Sequence, residues 1–126
     1  MPIEINRADF DAFVQQAIAR LPEQFRTALD VVRIEVLDRP SSGQLKSLGL
    51  EEDELLLGLY EGIPLIERTS TDSGRMPDVI YLFREDLEDA CDDLKQLVDE
   101  IRITLFHELG HYFGYDEEEL ERMGYG

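Results

Sequence analysis

The chain has 126 residues, with 29 Asp and Glu against 12 Lys and Arg, a formal net charge of −17 and 43% hydrophobic residues. That apolar content fills the core of one domain, taken as residues 1–126, and excludes a disordered acidic tail, while the charge argues against nucleic acid or an anionic membrane as the main partner. Cys91 is the only cysteine, so no intramolecular disulfide forms. No apolar leader follows Met1, and no run approaches the roughly 18 apolar residues of a membrane span. The expectation is a soluble cytoplasmic domain.

In chain order, Asn6 is placed to cap a helix whose apolar positions Phe10, Phe13, Val14, Ala17 and Ile18 follow helical spacing. Pro22 suits the opening of a short helix through Glu23–Ala28. The period then changes to strict alternation at Val32–Val36, which predicts a half-buried strand ended by Asp38-Arg39-Pro40 and a Ser-Ser-Gly loop. Leu45, Leu48 and Leu50 anchor a short turn or helix, and Glu51–Glu54 reads as a solvated loop. Leu55–Tyr60 and Leu65–Arg68 read as strands around a Gly-Pro break, followed by a loop at Thr69–Pro77 and a strand at Val79–Phe83. From Glu85 onward the pattern is helical. Asp86 is the predicted cap, and Leu87, Ala90, Cys91, Leu94, Leu97, Val98, Ile101, Leu105 and Tyr112 form an apolar stripe with a break at Asp92-Asp93. The predicted fold is α+β, a small mixed sheet packed on helices with a long C-terminal helix.

The stretch that carries chemistry is His107-Glu108-Leu109-Gly110-His111, which holds both histidines of the chain. Four residues apart on a helix, they project from nearly one face, one turn apart, so two imidazole nitrogens reach one tetrahedral metal ion. Glu108, offset by one position, is the candidate catalytic base, taking a proton from water and returning it to a leaving amine. The competing reading is a pair of core histidines bonded to backbone carbonyls. A catalytic zinc site needs a third ligand. Gly114 can take positive φ and turn the chain back, and Glu117 then stands six residues beyond His111. Asp116 competes as a ligand, or serves as the cap of a terminal helix over Glu117–Met123. Solvent in place of a third protein ligand is the remaining option.

These residues resemble the zincin metallopeptidases, and more closely a family of minimal zincin-like proteins of bacterial origin. The similarity runs from Met76-Pro77-Asp78 through His107–Gly114 to Leu120 and Gly124, and extends to Tyr60–Arg68. The resemblance implies a small mixed sheet over an active-site helix, zinc as cofactor, and hydrolysis of a peptide or protein substrate. It also gives the Val79–Phe83 strand a second reading beside that of plain core, as an edge strand that binds extended peptide. The rival to an enzyme is a catalytically inactive zincin-like module binding a metal or a protein. Residues 84–126 carry fourteen acidic against four basic side chains, an excess that draws a divalent cation and disfavours acidic substrates. Substrate and oligomeric state are not encoded in any pattern of the sequence.

Overall fold

The computed structural model describes residues 3–62 and 78–123. The expected strand at Leu65–Arg68, the Ile63-Pro64 break and the loop at Thr69–Pro77 lie outside the described residues, as does Gly124. The described elements are α1 (Arg7–Ala19), α2 (Glu23–Ala28), β1 (Val32–Leu37), α3 (Ser42–Ser47), β2 (Gly58–Glu61), β3 (Asp78–Phe83), α4 (Arg84–Asp89), α5 (Leu94–Phe113) and α6 (Glu117–Arg122). This is the expected α+β architecture, with a mixed sheet of three strands among the described residues and a long helix, α5.

The N-terminal helices form as their local signals dictate. Asn6 Oδ1 accepts from Asp9 N–H at 2.8 Å and so satisfies one of the first-turn donors of α1. Phe10, Val14 and Ala17 recur every three or four residues and are buried together. Pro22 precedes α2, which plants Phe25 in the core beside Phe106 and Phe113, with ring centroids 4.4 and 5.0 Å away. In α3, Ser41 and Gln44 form a reciprocal capping box.

The strand order is β1-β3-β2, with β1 parallel to β3 from Val32↔Asp78 to Leu37↔Phe83, and β2 antiparallel to β3 from Gly58↔Leu82 to Glu61↔Val79. The central position of β3 explains its nearly continuous burial: Val79, Ile80, Leu82 and Phe83 are all in the core. It also removes the expectation that this strand is a peptide-binding edge. Both sides of its backbone are already paired, so no hydrogen-bonding edge is left to offer. Among the described residues, the strand edge facing the long helix belongs to β2.

Two further expectations need correcting. Asp86 does not cap a helix. Strand β3 runs straight into α4, whose cap position is Phe83, and Asp86 sits inside the helix, fully buried. Its Oδ2 accepts from Leu56 N–H at 3.0 Å, and Arg39 Nε approaches Oδ1 at 3.6 Å. That bond takes Leu56 out of the sheet ladder, so regular strand geometry begins at Gly58 and not at Leu55. Leu94, assigned to the apolar stripe, is 51% exposed because it opens α5 beyond the edge of the core. The stripe that packs is Leu97, Ile101, Leu105 and Leu109, one residue per turn. The other buried acid of α4, Glu88, is paired with Arg84 at 2.9 Å, and Arg84 also binds Asp38, which offsets the desolvation of the carboxylate.

Candidate metal centre

Helix α5 is nucleated by Asp93, whose side chain accepts from Gln96 N–H at 2.8 Å. The apolar stripe clamps one face of the helix against the core, and that clamp sets the direction of the opposite face. His107 and His111 lie there, their side chains 22% and 35% exposed, so solvent reaches both rings. The ring centroids are 4.6 Å apart and the planes are inclined by 76°.

What brings a third group to these rings is the chain reversal after α5. Gly114 ends the helix at φ 86°, a conformation costly for a residue with a Cβ. Gly114 and Tyr115 N–H close the last turn by donating to the carbonyls of His111 and Gly110 at 3.0 and 2.9 Å. Asp116 then caps α6, accepting from Glu119 N–H at 2.8 Å, while the Glu119 side chain accepts from Asp116 N–H. With Asp116 engaged as the cap, the next carboxylate swings onto the histidines. Glu117 Oε1 lies 3.2 Å from His107 Nε2 and 3.1 Å from His111 Nε2.

A feature not anticipated from the sequence holds this corner shut. Leu120 of α6 is fully buried against Gly110 of α5, and a Cβ at Gly110 would collide with it. The sequence does carry a clue: glycine inside a helix costs about 1 kcal/mol relative to alanine, so an interior glycine points to a close approach. Gly58 plays the same part on the other side of α5. A Cβ there would lie 2.6 Å from Thr104 Cγ2 and 3.5 Å from Glu108 Cγ. Strand β2 therefore passes directly over the helix, and Tyr60 N–H donates to Glu108 Oε1 at 2.8 Å.

Glu108 is buried, and its Oε1 also lies 3.3 Å from His111 Nδ1. No described residue donates to Oε2. Both ring nitrogens of His111 thus face carboxylate oxygens, which favours the doubly protonated ring. The contact with Glu108, reinforced by Glu117, pushes the His111 pKa up to about 9, against an opposing effect of burial. The contact with His111 in turn holds Glu117 below the usual carboxylate range.

The ligand atoms of His107, Glu108 and His111 fall within 4.8 Å of one another, yet Glu108 and Glu117 are not equivalent. Glu108 is anchored by a backbone donor, whereas Glu117 is 67% exposed and shares one oxygen between both Nε2 atoms. Two imidazoles and one exposed carboxylate, open to solvent, are donor types that a zinc ion accepts. The residues fit such an ion. Tyr112 packs its ring against Tyr60 and Phe113, and Cys91 is buried, its thiol pushed up to about 11 by desolvation. Among the described residues, no helix is long and apolar enough to cross a membrane.

No curated protein matches the sequence at a significant level. Among solved structures, the chain is similar to a conserved hypothetical protein from Thermo thermophilus, with 21% identity and a TM-score of 0.56 over 94% of this chain and 97% of that one. That likeness establishes a shared fold. The profile of a family described as zincin-like metallopeptidase matches residues 29–126, from just before β1 through the His107–His111 helix to the C-terminus. The chain belongs to the zincin-like metallopeptidase family.

Proposed function

We propose that this protein is a zinc-dependent peptidase in which His107, His111 and Glu117 hold the metal and Glu108 is the general base. The observation that carries the reading is the convergence of both histidine Nε2 atoms on Glu117 Oε1, with Glu108 fixed immediately behind them. A zinc ion held there supplies Lewis-acid chemistry, lowering the pKa of water and polarising a carbonyl.

The protein's own groups divide the remaining work. Tyr60 N–H fixes one oxygen of Glu108, which leaves Oε2 to receive a proton from the attacking water and to hand it to the departing amine. Burial of Glu108 excludes bulk solvent from that proton, while the open face above His107 and His111 admits a chain of substrate. A net charge of −17 supports a peptide or protein substrate over nucleic acid or an anionic membrane. The lone buried thiol of Cys91 supports a reducing, cytoplasmic setting.

The test is zinc content and turnover on the same preparations. The full chain, dialysed against trace zinc, should retain about one ion per chain, and His107→Ala should retain none. Glu108→Gln should keep the ion while cleavage of unfolded casein falls by about 10²–10⁴-fold. Absence of bound zinc in the parent overturns the metal reading. Zinc bound tightly with no cleavage by the parent identifies a non-catalytic metal- or protein-binding module.

A further inference from the structure

A cavity of about 290 Å³ opens directly beside His107 and Glu108. Its walls come from the segment leading into β2 (Leu56, Leu57 and Gly58) and from the preceding turns of α5 (Glu100, Ile103 and Thr104). It is smaller than most pockets that enclose a whole small-molecule ligand, roughly 300–1,000 Å³, and about twice the ~150 Å³ cavity that takes a benzene ring. Its scale is that of one long side chain.

The chemistry of the walls narrows which side chain. Leu56, Leu57 and Ile103 line the sides with aliphatic surface. Glu100, half-buried, adds a carboxylate. Seven residues before His107, it lies about 10 Å along the helix axis at 1.5 Å per residue. Residues 100, 103, 104, 107 and 108 recur at helical spacing, so this carboxylate stands on the same face of α5 as the metal site. An aliphatic tube with an acid at its far end matches a long methylene stem that carries a cationic head.

We infer that this cavity is a side-chain pocket selective for lysine or arginine, seated next to the scissile bond of a bound peptide. The inference rests on the peptidase reading for its role, but not for its test. The stem lies on Leu56, Leu57 and Ile103, and the ammonium or guanidinium group meets Glu100. Asp86 is the positioning residue for the outer wall, because its carboxylate holds Leu56 N–H.

Binding tests the pocket without any turnover. The metal-free full chain is titrated with acetyl-Ala-Lys-Ala-amide and with the norleucine analogue, which keeps the stem and lacks the charge, and amide shifts of Leu57, Gly58 and Thr104 are followed. The lysine peptide should bind about tenfold more tightly, as expected of one charge-assisted hydrogen bond. Glu100→Gln, which keeps shape and fold, should erase the difference, and Glu100→Lys should reverse it in favour of a glutamate peptide. Equal binding of the two peptides, or a preference that survives Glu100→Gln, overturns the inference even if the protein cleaves casein. A lysine preference that depends on Glu100 in a protein that cleaves nothing upholds the pocket and removes the peptidase reading.

Discussion

The two flanks of the histidine face are built by different means. On the C-terminal side, the corner from α5 to α6 is assembled from short-range devices: the αL glycine at Gly114, the Asp116–Glu119 capping box, and Glu117 at the first position of the next helix. On the sheet side, β2 is only four residues long. It is held by partners distant in sequence: Asp86 on Leu56 N–H, Glu108 on Tyr60 N–H, and Phe83 N–H on the Leu57 carbonyl. The first flank could form almost unaided once α5 is docked. The second has no geometry of its own and exists only after α4, α5 and β3 have packed. A corner made of local parts should therefore fail piecewise, whereas the sheet flank should fail with the core.

The largest expected effect comes from removing the packing contact that seats α6 on α5. Leu120→Ala leaves a cavity over Gly110 and should cost about 2–5 kcal/mol of unfolding free energy, with a loss of zinc affinity, read by denaturant melts and metal titration. If zinc binding survives at full strength, α6 is held by something other than this contact. Gly110→Ala attacks the same contact by overpacking, at about 1–3 kcal/mol, and should also weaken zinc binding as Glu117 is pushed away. On the sheet flank, Asp86→Ala orphans Leu56 N–H and should cost about 1–3 kcal/mol while leaving zinc stoichiometry intact. Loss of zinc from that variant would show that the two flanks are not separable.

The neighbouring acids sharpen the contrast further. Asp116→Ala removes a cap and should cost about 1 kcal/mol with zinc retained, and Glu117→Ala should do the reverse, losing zinc with little change in stability. The smallest effect is that of pH on the metal-free chain. His111 has a folded pKa raised from 6.5 to about 9, so its contribution is fully present below about pH 6.5 and is lost as pH rises through about 9. Glu117, held low, contributes above its ordinary range and loses that contribution as pH falls through its depressed value. The thermal midpoint should thus decline between pH 6.5 and 9. An NMR titration placing His111 near 6.5 would break the triangle of contacts with Glu108 and Glu117.

Much of the corner is legible in the sequence because its signals are local. Asn6, Gly114 and the break before α5 each act through residues within one or two turns, and the four-residue spacing of His107 and His111 follows from helix geometry alone. The choice between Asp116 and Glu117 stays open at that level, since either carboxylate lies within reach of the rings once the chain reverses. Asp86 misleads for a related reason. An acid near the start of a helix looks like a cap, and only the direct passage from β3 into α4 turns it inward. Leu94 and Leu97 carry the same side chain, and the edge of the core alone separates them.

By itself, then, the sequence determined the helix-borne pair of histidines, the glutamate between them, the αL turn and the class of fold, because periodicity and capping are properties of a few consecutive residues. Tertiary structure alone decided that β3 is central and not an edge, that Leu120 against Gly110 brings Glu117 to the rings, and that β2 lays a backbone donor on Glu108. Those contacts join residues up to dozens of positions apart, and no local pattern specifies which distant surfaces meet.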